Sequence, residues 1–391
     1  MGHVGAAGPA VEHIQPPPAA KWLDILSCSS SGEVLVGTAV RVDDKSIAKA
    51  VRWTAGAGLE FLDPNRGPGG SEALSVSDLG EVVVGRRVQN GFRFEQAMVL
   101  YDQLPGVNTS IAERVSRDGE RVIVSSTSYS DPLPKFLIDN GSQISPRVPP
   151  EYGTGHFFAA SPNLRFFMAS VGGGRLLISN LDDQQYTMPV PLSTVTDLAI
   201  SDAGDRIAGA YMVSGRRRGL FRAYRGGSVE VIPFPLSWNG TAKVQFSDDM
   251  TTAVFDRAMS YYDLHTFVWR DGDGIHPLTS YLGGRFPFPR YFGGRNTIIS
   301  GDGETIVRGF WSTSSSQLAT FRLRLDPASI CPADFNGDRV VDDVDFGVFL
   351  QSMELVDAPF IDDRCDMNSD MMVEDADFVL FALAYEEVLC P

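Results

Sequence analysis

The chain has 391 residues, 43% of them hydrophobic, and a net charge of −16, which leaves room for two or three domains with sizeable cores. No apolar run reaches the ~18 uncharged residues of a membrane-spanning helix, and an acidic chain without a basic stripe excludes binding through nucleic-acid phosphates. The charge is uneven: 12 Asp and 4 Glu against two Arg fall within residues 331–391, so the acidity belongs to a small C-terminal module.

Residues 1–19 are rich in Gly, Pro and Ala and lack the continuous apolar stretch of a signal peptide. They read as a flexible tail, the trimmed N-terminus of a secreted protein behind an expression-derived Met. From residue 20 to 328 one phrase returns seven times, at Ser29–Gly32, Ser77–Gly80, Ser116–Gly119, Ser161–Leu164, Ser201–Gly204, Ser247–Met250 and Ser300–Gly303. The fourth residues of these turns are 48, 39, 45, 40, 46 and 53 positions apart, a spacing that suits propeller blades of about 40–45 residues.

Within each copy an alternating run such as "EALSVS" predicts a strand, and a Ser/Asp/Gly turn follows. A Val-rich run such as "EVVVG" predicts a more buried strand. Then come an aromatic strand, as in "KAVRWT" or "TFVWR", and a short closing strand, as in "GLEFLD". Four strands per copy cannot bury both faces alone, but seven copies in a ring can. The expected fold is therefore mainly β, a seven-bladed β-propeller over 20–328, with ring closure by a strand near Lys21–Ile25. The turns read as structural, since one acid per turn assembles no site. Trp53, Trp269 and Trp311 are expected between blades, and Trp238 in a looser segment.

The grammar resembles the HAF-type extracellular repeat family, above all at Ala50–Leu62, "AVRWTAGAGLEFL". The likeness spans about residues 20–330. It implies architecture and an extracellular setting, and no chemistry.

Residues 329–391 carry two twelve-residue segments with calcium-loop spacing. In "DFNGDRVVDDVD" the donors at positions 1, 3, 5, 7, 9 and 12 are Asp334, Asn336, Asp338, the Val340 carbonyl, Asp342 and Asp345. In "DMNSDMMVEDAD" they are Asp366, Asn368, Asp370, the Met372 carbonyl, Glu374 and Asp377. Two Ca²⁺ ions are expected, because alternate oxygens on a tight loop surround one hard cation. Position 6 is Arg339 or Met371 rather than Gly, and position 12 is Asp rather than Glu, both of which weaken such a site. Each loop is followed by an amphipathic helix. The first sets Phe346, Phe349, Leu350 and Met353 on one face, and the second Phe378, Phe381 and Tyr385, with Leu380 at its edge.

Cys331–Asp334, Val341–Phe346, Phe381–Tyr385 and Leu389–Pro391 resemble a dockerin type I domain of the planctomycete type. That resemblance implies a calcium-dependent attachment module with a cohesin-like or cell-surface partner. Three of the four cysteines lie in this module, which points to an oxidising compartment and disulfides. Cys331 and Cys390 would clamp its ends. Cys365 could remain a thiol, exchange into that pair, or reach Cys28.

No catalytic set stands out. His3, His13, His156, His265 and His276 form no close metal pair, and no nucleophile elbow or dinucleotide fingerprint is present. His156, beside Glu151, is the best lone candidate, with a hydrogen-bonded loop histidine as the plainer reading. The segment Tyr281–Arg295, with Arg285, Arg290, Arg295, Phe286 and Phe288, could contact a glycan, peptide or anion, or could plug the end of the ring. The balance favours a secreted calcium-binding protein with a ligand-binding or display propeller over an enzyme. A polysaccharide-acting hydrolase or lyase with its site on a propeller face is the alternative, and a structural surface protein the third reading.

Overall fold

In the computed structural model, the described residues are 11–16, 20–41, 47–63, 69–88, 90–95, 98–101, 109–127, 135–139, 144–146, 157–170, 175–180, 185–189, 195–213, 216–234, 241–260, 263–278, 281, 297–311, 318–325, 333–335, 340–353, 365, 367 and 373–387. Each repeat folds into a four-stranded antiparallel sheet resembling a propeller blade. Six sheets take their strands in chain order, over 20–61, 71–100, 109–146, 157–189, 195–233 and 241–277. The seventh combines three strands from 297–324 with Val11–Ile14, which pairs with Leu318–Arg324 and sets Val11 opposite Leu323.

This last strand corrects two expectations. Residues Val11–Ile14 form a sheet strand inside the expected tail, and Lys21–Ile25 lie in the innermost strand of the first sheet, Ala20–Cys28. Four residues between Gly/Pro-rich stretches carry little periodicity of their own. Their partners are some 310 residues away, as Arg322 and Glu12 illustrate.

The turns explain the repeat. Ser29, Ser77, Ser116, Ser161, Ser201, Ser247 and Ser300 are all buried. Each hydroxyl accepts the backbone N–H five positions on, at 2.9–3.1 Å. Each serine carbonyl accepts the N–H of the fourth turn residue. That fourth residue has positive φ in every copy: Gly32, Gly80, Gly119, Leu164, Gly204, Met250 and Gly303, between 52° and 77°. For Leu164 and Met250 the left-handed backbone costs about 1–2 kcal/mol. Both side chains are fully buried, which returns about 1.5–3 kcal/mol, so the non-glycine turns hold.

Neighbouring sheets are latched by arginines. Arg52 of the first sheet donates to Gly80 O at 2.6 Å and lies over the Phe94 ring of the second. Arg93 donates to Gly119 O, and Arg270 to Gly303 O. Arg222 lies over Trp269 and pairs with Asp271 of the sixth sheet. Arg322 of the seventh sheet repeats the pattern on the first, donating to Gly32 O at 2.8 Å over the Trp53 ring. Trp53 and Trp269 thus sit between sheets. The side chain of Trp311 and all of Trp238 lie outside the described residues.

Two helices follow, α1 (Asp343–Met353) and α2 (Asp375–Glu387). They pack through stacked Phe349 and Phe381, 5.4 Å apart, with Phe335 against both. Phe346 and Met353 join at the edge of that core. Phe378 and Tyr385 are partly exposed yet contact this stack, Phe378 through Phe346 and Phe349 and Tyr385 through Phe381. Leu350 and Leu380 face outward. No helix among the described residues is long and apolar enough to cross a membrane.

Candidate functional site

One cavity of about 540 Å³ is lined by the innermost strands and turns of all seven sheets, from Leu26 in the first to Gly301 in the seventh. The strands that form this bore carry β-bulges. The register slips between Ile25 and Ser27, Ala73 and Ser75, Ala112 and Arg114, Phe157 and Ala159, Thr196 and Ala199, and Thr241 and Val244. A bulge inserts an unpaired residue and re-aims its side chain. Leu26, Leu74, Glu113, Asp197 and Lys243 fall in these slips, and all five line the bore. Asp197 adopts φ 52°, strained for a residue with a Cβ.

Arg114 and Arg117 add cations to the bore, and Asp78 and Asp248 add carboxylates. Arg114 is exposed to solvent inside the bore yet ringed by protein, and its Nη1 donates to Ala160 O at 2.8 Å. That enclosure pulls its pKa below the ordinary guanidinium value, against the pull of Asp248 and Glu113. Cys28 also lines the bore. Its thiol donates to Ile299 O at 3.6 Å, and burial, with Asp248 and Asp302 nearby, pushes its pKa up to about 12 against Arg322.

The turns join head to tail around one mouth of the bore. Ser30 N donates to Asp78 Oδ1, Asp78 N to Arg117 O, Arg117 N to Pro162 O and Asn163 N to Asp202 Oδ1. Asp248 N donates to Gly301 O, and Asp302 N to Ser30 O. Across this mouth Arg117 Nη2 pairs closely with Asp248 Oδ2, and Nη1 lies 3.4 Å from Asp202 Oδ2. Burial opposes the Arg117 charge, but Asp248, Asp202 and Asp78 outweigh it and raise its pKa. Burial pushes the Asp248 carboxyl above the usual range despite Arg117, and Asp202 adds to that rise.

The expected calcium donors are only partly in view. Asn336, Asp338, Asp366, Asn368, Asp370 and Met372 lie outside the described residues. Asp345 and Asp377 are fully buried, and each Oδ2 accepts the N–H three residues back, from Asp342 and Glu374, both at 3.0 Å. Asp342 in turn accepts Val344 N–H at 2.8 Å, a reciprocal cap on α1. Asp334 is half-buried, while Val340 and Glu374 are exposed.

Among the described residues no three His, Cys, Asp or Glu side chains stand together to hold a metal. The visible Asp342, Asp345 and Asp377 accept backbone N–H groups at the starts of the helices, and six of the twelve expected calcium donors lie outside the described residues. One expectation is corrected: Cys28 and Cys365 form no disulfide and are both thiols, one in the bore and the other in the helical core. Cys331 and Cys390 lie outside the described residues, as do His3, His156 and residues 282–295. Tyr281 is fully buried against Arg270 and His276, and so is not an exposed binding aromatic. His13 stacks on Phe321.

No protein-family model matches the chain, and no curated protein matches it. Solved structures match by fold. An oligogalacturonate lyase in complex with manganese aligns at a TM-score of 0.55 with 13% identity, over 82% of this chain and 94% of that one. An oligogalacturonate lyase from Vibrio parahaemolyticus aligns at 0.57 with 11% identity, over 83% and 98%. At such identities the likeness is one of fold.

It nevertheless corrects the preference for a binder over an enzyme. That preference rested on the lack of a short catalytic motif, whereas the matching architecture is one on which lyases are built. A site in a bore takes one side chain from each of several sheets, so its residues share no local spacing. Glu113, Arg114, Asp197 and Lys243 were missed for that reason. The only local signal was a charged residue in an otherwise apolar inner-strand run, as in "IAERVS" and "TDLAIS".

Proposed function

We propose that the seven sheets close into a propeller and that the chain cleaves an acidic polysaccharide in its bore, by elimination at a uronate unit. The observation that carries this reading is that two cations, Arg114 and Lys243, and two carboxylates, Glu113 and Asp197, line a single cavity on or beside its bulges. Two oligogalacturonate lyases share the fold. Function still has to be argued from the site, and this site suits a sugar carboxylate. Arg114 and Lys243 would neutralise that carboxylate, which acidifies the neighbouring C5–H. One of Glu113 and Asp197 removes the proton and the other protonates the departing O4. The C4–O bond breaks and a C4=C5 double bond forms. The manganese named for one of those lyases is not carried over, because the described bore residues present no trio of metal ligands. No step is routed through a metal.

The test is a panel of polyuronides and neutral polysaccharides, reading new reducing ends and ultraviolet absorbance separately. Both signals on a polyuronide, lost in R114A and K243A variants that melt like the parent, are expected. Reducing ends without absorbance would mean hydrolysis. Retention of the polymer without either signal would mean a binding protein and sink the reading.

A second reading concerns the C-terminal module, and the matched capping of Asp345 and Asp377 favours it. Two loops 32 residues apart thereby end on the same buried carboxylate. The module is then a dockerin-like, two-calcium attachment unit of a secreted protein of HAF type, with a cohesin-like or cell-surface partner. Calcium titrated calorimetrically into the chelated chain should show two binding events that D334A/D366A abolishes. No heat in either protein rejects the assignment.

A further inference from the structure

The proposed bore chemistry leaves open how a polymer reaches it, and the turn-side mouth answers that. Arg117 leaves the third sheet and crosses to partners in the fifth and sixth, 131 residues on in the case of Asp248. Both ends of the crossing are fixed. At its root, Arg117 N–H and C=O are held by the neighbouring turns at Pro162 and Asp78. At its tip, the Asp248 carboxylate lies over Gly301 and beside Ser30 Oγ, in space that any side chain at 301 would occupy. Asp248 N is itself bound to Gly301 O. Among the described residues the turn-to-turn hydrogen bonds join every neighbouring pair except the fifth and sixth, and that gap is the one Arg117 spans with Asp202 and Asp248. A guanidinium clamped by two carboxylates there leaves no passage for a pyranose chain.

We infer that Arg117, strapped to Asp202 and Asp248, makes the bore a blind well, so that an acidic saccharide enters from the opposite mouth and is bound by one chain end. The specificity half of this inference rests on the proposed function, whereas the strap itself does not. A blind well shortens an acidic polymer from its end. Arg117 is a specificity-determining residue, since it meets the end of the ligand rather than the bond that breaks.

Cys28 reports on the strap, because it lines the bore beside Ser30 and within the field of Asp248. Its modification by a small maleimide and by a polyethylene-glycol maleimide is followed on the full chain by peptide mass spectrometry. Cys28 ends its strand at the turn side, the strapped end of the bore, so R117A should raise the rate of both reagents about tenfold. Loss of a cation makes the thiol harder to ionise, so faster labelling reports access and not acidity. Unchanged labelling in an R117A protein of native melting temperature overturns the strap. If R117A does not fold, R117M keeps the volume without the charge and is judged by the same rates.

For specificity, wild-type protein acting on a long polyuronide should release short products while viscosity falls slowly. R117A should drop the viscosity faster per bond cleaved. A rapid viscosity loss with the wild type overturns chain-end binding. Absence of any cleavage would count against the proposed function, and the Cys28 rates would still decide the strap.

Discussion

The seven turns and the seven bore faces lie side by side on the same strands, yet they obey opposite rules. The first turn position is serine in every sheet, buried and bonded in one way. The next position is Ser30, Asp78, Arg117, Pro162, Asp202, Asp248 or Gly301, and all of these but Asp202 line the bore. The frame repeats because each serine solves the same local problem, a buried N–H at a tight corner. The bore varies because its residues answer to each other across the cavity. In a repeat fold, the positions that break the repeat are where a site is built.

The comparison is broken most severely by moving the change one residue. Ser247→Ala strips the acceptor from the buried Thr252 N–H and should cost about 2 kcal/mol, read by chemical and thermal unfolding. An equal loss from a bore-facing substitution such as Lys243→Ala would contradict the division between frame and bore.

A smaller effect is expected from pH. Burial opposes ionisation of Asp118 and Asp249, but hydrogen bonds at the turns, Ser116 with Glu120 N–H and Thr251 with Ser247, hold both below the usual carboxylate range. The Arg222 guanidinium lowers Asp271. A lowered folded pKa contributes stability above the unfolded value, about 3.9, and loses it as pH falls through the folded one. Asp248, raised by burial, has the opposite sign: its penalty is relieved as pH falls through its own raised value. Three lowered groups against one raised should make unfolding easier below about pH 4. D118N should flatten that slope, and a flat profile in the wild type would contradict the assignment.

Much of the frame was legible because it is local. A Ser and a Gly three residues apart define a corner without help from the rest of the chain. The two corners lacking Gly, at Leu164 and Met250, were found by spacing and proved to share the same backbone. The helices were legible by period: Phe378, though partly exposed, packs on Phe346 and Phe349 as the spacing predicts, whereas Leu350 faces outward and Phe335 from the preceding loop joins the stack on Phe349 and Phe381. The bulges were not legible, since a slip in register is a property of two strands. Nor was the Arg117 strap, whose partners come from other sheets, nor the role of Val11–Ile14, whose partner strand is at the far end of the repeat region.

That first strand ties the assembly to the clock of synthesis. The seventh sheet cannot be completed until residue 324 has been made, and at about 5–20 residues per second that comes some 15–60 s after residue 14 emerges. Joining partners 310 residues apart adds about 4 kcal/mol of closure entropy over the shortest loops. The sheets already made repay it in advance, because they bring the two ends within reach. Until then the faces of the first and sixth sheets that pack on the seventh stay open to other chains. Four residues, Val11–Ile14, end that exposure.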